Sequence, residues 1–394
     1  MGLHEPSVPP GGNRTDSAPP PAFQVERWVD VLGGHIARHP RLWTRLADLE
    51  SRALRERLDA VAIARPIYIA GLARAGTTIL LEMLADHAEV TTHRYKDFPP
   101  VHIPYWWNWF LDRQPQRRTE ASERAHGDGI LVTPDSPEAM EEVLWMAFFP
   151  RAHDPEASAV LDGDTTAPAF EAFYRDHVRK LLLARRRARY LSKANYNLTR
   201  LAYLQRLFPD ARFVVPIRSP VQHVASLMKQ HALFCRVEQA DPRTLEHMRR
   251  VGHFEFGLDR RLINVGDDET VRSIHELWDK GEDARGWARY WASLYGWVAD
   301  TLEANPGLRE AVYVVRFEDL CAAPAETLTR ALTHCRLDDP DGLVEAWAGR
   351  VEAPTYYRVR FSEGELAAIA AETDAVAARF GYAPQAEKQL DRSA

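Results

Sequence analysis

Cysteine is scarce in this chain: Cys235, Cys321 and Cys335 are the three in 394 residues. So few, so scattered, they exclude a disulfide framework, and their spacing is not that of a zinc site. A reducing compartment is the simplest setting, and the cytoplasm is the expected location. No run approaches the ~20 apolar residues of a membrane span. An excess of positive charge is also missing. The formal net charge of −6 argues against a nucleic-acid partner. No internal repeat stands out. Residues 1–22 are rich in Pro, Gly and Ser and too poor in apolar surface to fold, so they are expected to form a disordered tail. They lack the basic-then-apolar order of a secretory signal.

What is present reads as one globular domain over residues 25–385. Residues 25–60 predict one or two helices. Pro66-Ile67-Tyr68-Ile69-Ala70 is short, β-branched and aromatic, as a buried strand is, and 77–86 predicts a helix after it. The alternation returns in strands near 189–192, 211–217 and 312–315, each followed by helical sequence. Pro216 sits awkwardly in the second of these. Over 284–304, Trp287, Trp291, Leu294, Val298 and Leu302 fall on one helical stripe. Strands alternating with helices predict an α/β fold: three layers, with a central parallel sheet flanked by helices. Residues 87–188 break this rhythm and read as a helical and loop insertion.

The densest chemistry lies in the turn Gly71-Leu72-Ala73-Arg74-Ala75-Gly76-Thr77-Thr78. A turn that leads from a strand into a helix exposes amides without intrahelical partners, and these form an anion site. Gly76 lets the backbone bend close to the anion, Thr77 and Thr78 add hydroxyls, and Arg74 can cover phosphate oxygens. A Walker A loop would have Lys where Thr77 stands. That absence counts against a nucleotide or small-molecule kinase, the main alternative; a non-catalytic adenosine-phosphate binder is a second.

A second segment, Arg218-Ser219-Pro220-Val221-Gln222-His223-Val224-Ala225-Ser226, leaves a strand end and starts a helix at its Pro. The two segments together resemble sulfotransferases that use 3′-phosphoadenosine 5′-phosphosulfate (PAPS). The turn is similar to their P-[KR]-S-G-T-T loop, with Ala73 and Ala75 in place of Pro and Ser. The resemblance extends to Lys193 with the residues around it, to Phe208-Pro209-Asp210-Ala211, and to Arg316-Phe317-Glu318-Asp319-Leu320. It implies a P-loop-NTPase-like sulfotransferase fold, with PAPS as donor substrate. Arg74, Ala75, Gly76, Thr77 and Thr78 would hold its 5′-phosphosulfate, Arg218 and Ser226 its 3′-phosphate. The acceptor would be a small molecule, glycan, lipid or peptide.

The resemblance implies that Lys193 touches the transferring group. The base is open. Where one branch of the family has His two residues after the Lys, this chain has Asn195; where another has Glu, it has Thr91-Thr92-His93-Arg94-Tyr95-Lys96-Asp97. His93 and Asp97 are the candidates, with Glu141 and Glu142 behind them. The aromatic run 103–110 reads equally as pocket wall or core. Arg185, Arg186, Arg187 and Arg189 read as a solvated helix end. His231, His247, His253 and His275 have no ligand spacing, and this chemistry requires no metal.

Overall fold

The computed structural model describes residues 25–114, 121–123, 131–339, 341–351 and 360–384. The expected N-terminal tail lies outside them. Seven strands occur among the described residues: β1 (Ile67–Ile69), β2 (Val90–Thr91), β3 (Ser122–Glu123), β4 (Leu131–Val132), β5 (Arg189–Lys193), β6 (Arg212–Ile217) and β7 (Val312–Arg316). β3 and β4 form a separate antiparallel pair, and the other five form one parallel sheet in the order β2-β5-β1-β6-β7.

The strands are apolar on both faces because helices cover both. Tyr68, Tyr190, Phe213 and Val215 join one core with Trp287, Trp291, Leu294 and Val298, the stripe of the helix Asp283–Ala304. Ile67, Ile69, Leu191 and Val214 join the opposite core with Leu80, Leu81 and Leu84 of the helix Thr77–Asp86. The expected three-layer α/β architecture is the observed one.

Pro216 is accommodated by where β1 stops. Along β6, Arg212 donates its N–H to Pro66 O and Val214 O accepts from Ala70 N, so the even-numbered residues turn their backbone groups toward β1. The β1–β6 register ends at Ile69 and Val214. Pro216 therefore stands beyond the end of β1, where no ladder bond needs its missing N–H. Its carbonyl accepts from Tyr295 Oη at 3.0 Å. Gly71 passes so close that a Cβ there would lie 2.9 Å from Pro216 O.

Three details depart from the sequence reading. Residues 87–188 hold more than helices and loops, because the edge strand β2 lies within them. Their helix Pro168–Arg185 also packs against β5 and β2. The arginine cluster is not a solvated end throughout. Arg186 and Arg187 are exposed, but Arg189 is buried and gives its guanidinium to the carbonyls of Arg65, Cys335 and Arg336. A β-strand start turns Arg189 inward, and free carbonyls at the ends of neighbouring segments receive it. The aromatic run divides: Trp107 donates to Lys96 O, whereas Trp106, Trp109 and Phe110 of the helix Pro104–Leu111 stand at the surface.

Candidate active site

In a parallel sheet the carboxyl ends of the strands, where the chain turns into helices, present the ligands. Arg74 in the turn after β1, Lys193 as the last residue of β5, and Arg218 just past β6 all lie at this edge. Side chains alternate along a strand, so Lys193 shares the face of Leu191. That is the face on which the helix Thr77–Asp86 packs. Lys193 also pairs in register with Ile69, the residue that leads into the turn.

The turn is held in an unusual backbone shape. Arg74 has φ 73° and Gly76 has φ 99°, and Ala75 N bonds Leu72 O at 3.2 Å. Left-handed residues within a turn form concavities lined by amides, the shape that receives anions. Gly76 is required twice over, because a Cβ there would lie 2.7 Å from Phe317 Cδ2. Thr77, buried, and Thr78, half-buried, open the helix that follows.

The second segment closes on the first. Arg74 Nε donates to Ser226 Oγ at 3.3 Å, and Arg218 Nη1 donates to Arg74 O at 3.4 Å. Arg218 is only 5% exposed, with its guanidinium carbon 4.9 Å from the centre of the Phe317 ring. Ser226 stands two turns into the helix Pro220–Ala240 and is buried. The structure thus brings Arg74, Ala75, Gly76, Thr77, Thr78, Arg218 and Ser226 to one place. These are the residues to which the resemblance gives the donor.

Residues 66–260 match the profile described as "Sulfotransferase family". Over that span, just under half of the chain, it is similar to the sulfotransferase family. No curated protein matches the chain. Among solved structures it is similar to sulfotransferase STF1 from Mycobacterium tuberculosis H37Rv, at 17% identity over 89% of this chain and 86% of that one, with a TM-score of 0.45. It is similar to sulfotransferase STF9 from Mycobacterium avium at 12% identity, over 84% and 81%, with a TM-score of 0.47. A sulfotransferase from Alicyclobacillus acidocaldarius shares 17% identity over 80% and 94%, with a TM-score of 0.36.

Three residues of this chain support the turn without having been singled out for it. His223 Nε2 lies 2.8 Å from Ala73 O. Burial, together with the nearby charges of Arg218 and Arg74, depresses His223 to a pKa of about 3, so at neutral pH the ring is neutral and its Nε2–H donates. Phe317 fills the space beside Gly76 and under Arg218. Glu318 accepts from Ser219 N at 2.9 Å and from Tyr382 Oη at 2.7 Å, which anchors the start of the helix carrying Ser226. The Arg316-Phe317-Glu318-Asp319-Leu320 segment is therefore a packing device for the turn; its signal was visible, its task was not.

His93 and Asp97 are not left open toward this edge. Both are almost wholly buried, and they face each other at 3.4 Å. Asp97 accepts from Arg94 N at 2.9 Å, from Asn108 Nδ2 at 3.2 Å and from Arg185 Nη2 at 2.7 Å. Burial raises its pKa, but the bond from His93 and the charges of Arg185 and His93 outweigh this and hold it at about 2. His93 Nε2 lies 3.0 Å from His177 Nε2. A carboxylate so well matched is a weak proton acceptor, and the pair acts as an internal strut between residues 93–97 and the helix Pro168–Arg185. Glu142 is similar: Arg200 binds it with both terminal nitrogens and His153 lies at 2.8 Å. Glu141 accepts from Tyr174, Tyr190 and Ser192.

Among the described residues no helix is long and apolar enough to cross a membrane.

Proposed function

We propose that this chain transfers the sulfuryl group of PAPS to a hydroxyl or amine of an acceptor and releases adenosine 3′,5′-bisphosphate. The observation that carries the reading is the bond from Arg74 to Ser226, residues 152 apart in sequence, made beside the buried guanidinium of Arg218. Two anion-binding segments meeting side by side suit a donor with phosphate at both ends of one ribose. On this reading the backbone of 74–78 and the Thr77 and Thr78 hydroxyls hold the 5′-phosphosulfate, Arg74 covers it, and Arg218 with Ser226 holds the 3′-phosphate.

Transfer forms a bond from the acceptor atom to sulfur and breaks the bond from sulfur to the 5′-phosphate oxygen, which leaves with the electron pair. Lys193 stands on the face that can meet that oxygen as its charge grows. A fixed cation at that point stabilises the transition state more than the bound donor. The donor brings its own leaving group, and Thr77 replaces the lysine that a Walker loop uses, so binding should not need magnesium. The three cysteines are free, in keeping with a cytoplasmic setting. The acceptor is a small molecule, glycan, lipid or peptide.

Calorimetric titration tests the reading. Adenosine 3′,5′-bisphosphate should bind saturably with magnesium chelated, and ATP with magnesium should not compete. Tight ATP–magnesium binding would overturn it in favour of a kinase. Release of labelled sulfate groups from PAPS onto panels of hydroxylated lipids, sugars and peptides then identifies the acceptor.

A further inference from the structure

The sulfuryl-transfer reading requires a group that takes the acceptor's proton, and the inference below rests on that reading. With His93 and Asp97 tied into their own cluster, another titratable pair, far away in sequence, meets the residues that follow Lys193. Asn195, two residues past Lys193, donates Nδ2 to Glu255 Oε1 at 2.5 Å. The other carboxylate oxygen of Glu255 stands 3.3 Å from His253 Nδ1, with the two side chains 10% and 20% exposed. An imidazole, a carboxylate and an amide thus connect the segment 252–258 to the residues just past β5.

That segment is held firmly. His253 N bonds Met248 O at 2.9 Å, and Phe254 O accepts from Arg261 N at 2.8 Å. Phe254 N bonds Tyr196 Oη at 3.2 Å, while Gly257 N and Leu258 N go to His231 Nδ1 and Glu238 Oε2. Its two glycines have φ of +76° at Gly252 and +88° at Gly257, and a Cβ would strike Glu142 at the first and Glu238 at the second. The His253 ring lies parallel to Phe234, 5.1 Å between centres and 3° between planes. So many fixed contacts leave the ring little freedom to turn, which is the preorganisation a proton acceptor needs.

We propose that His253 is the general base of the transfer and Glu255 its positioning residue. The Glu255 carboxylate, 3.3 Å from Nδ1, is placed to steady the charge of the ring once it has taken a proton. As the acceptor oxygen or nitrogen bonds to sulfur, its proton passes to the His253 imidazole. The electron pair of the breaking bond stays on the 5′-phosphate oxygen, and the imidazolium faces Glu255. Asn195 fixes the carboxylate, which ties the base to the chain that follows Lys193.

The test uses the full chain and water as the probe acceptor, following labelled sulfate released from PAPS. His253→Ala is expected to slow release by about 10²-fold with the affinity for adenosine 3′,5′-bisphosphate unchanged. Free imidazole should restore much of the rate, which a purely structural loss would not allow. Glu255→Gln should slow release by less, without imidazole rescue. His253→Gln is measured in parallel, since it keeps more of the ring's bulk if the alanine variant folds poorly. Wild-type rates in the His253 variants, or slow variants that bind the nucleotide normally and ignore imidazole, overturn the assignment. A wild-type chain that binds the nucleotide but releases no sulfate also overturns it, leaving the donor site standing. A wild-type chain that does not bind the nucleotide at all overturns the donor reading itself.

Discussion

Two regions of this molecule bury charged side chains, and they do so in opposite ways. Around the turn after β1, the cations Arg74, Arg218 and Lys193 are gathered from three separate strand ends. The partners of Arg74 and Arg218 include a hydroxyl, a carbonyl and an aromatic ring. Beyond β5, Asp97 and Glu142 face arginines and histidines at bonding distance, and Glu141 is met by three hydroxyls. A buried ion needs an opposite charge or several hydrogen bonds, because its desolvation is otherwise uncompensated. The second region supplies both from within the chain and is a scaffold. The first gathers positive charge at one edge of the sheet, where an anionic ligand can meet it. Burial alone would have put His93, at 2% exposed, and Arg218, at 5%, in one class; the partners separate them.

The largest expected effect is in the scaffold. Glu142→Gln removes the anion between Arg200 and His153 while keeping the shape. Breaking a buried pair from one side costs about 3–5 kcal/mol, read from urea unfolding at neutral pH. Affinity for adenosine 3′,5′-bisphosphate should survive in the folded fraction. A loss below about 1 kcal/mol would erase the contrast between the regions. Next comes Lys193→Ala, where turnover of PAPS should fall by two or more orders of magnitude, on the order of 3 kcal/mol. Unfolding and product-nucleotide affinity should change little. Normal single-turnover chemistry in that variant would remove Lys193 from the site.

A smaller effect sharpens the first region internally. Arg218→Ala should weaken binding of adenosine 3′,5′-bisphosphate by roughly 1.5–3 kcal/mol, the worth of a charge-assisted contact. The loss should nearly vanish for adenosine 5′-phosphate, which lacks the 3′-phosphate. Equal losses with both nucleotides would assign Arg218 to another task.

The same contrast explains what the sequence made legible. The turn and the Arg218–Ser226 segment could be read because their chemistry is local: each is a short string at a strand end, and the fold only has to set the two strings side by side. β1 and β6 are adjacent in the sheet, which does so. The helix stripe from Trp287 to Leu302 was legible for the same reason, since its period lies within one element. β2 was not, because two residues carry no period and only the edge of β5 makes them a strand. His223 beneath Ala73 and Phe317 beside Gly76 are contacts across 150 and more than 200 residues, with no local mark. His93 and Asp97 had suitable residue types in a suitable stretch; the neighbours that neutralise them, Arg185 and His177, come from a helix some ninety residues on.

The smallest expected effect tests whether Asp97 belongs to the scaffold. Its pKa is about 2 in the folded chain, below the ordinary 3.8, so the unfolded chain takes up its proton first as pH falls. A depressed carboxylate contributes stability that is complete above about pH 5 and is lost as pH falls through the folded value. Asp97→Asn lacks this contribution at every pH. Its deficit relative to wild type should therefore be widest from about pH 5 upward and narrow by about 1 kcal/mol between about pH 5 and pH 3, where the unfolded wild type protonates and the folded one does not. Urea unfolding of both proteins at the two pH values gives the comparison, and Glu142 titrates alike in each, so its share cancels. A deficit independent of pH would mean that Asp97 is protonated or unpaired in the folded chain. Asp97 would then move out of the scaffold and back among the groups available for proton transfer.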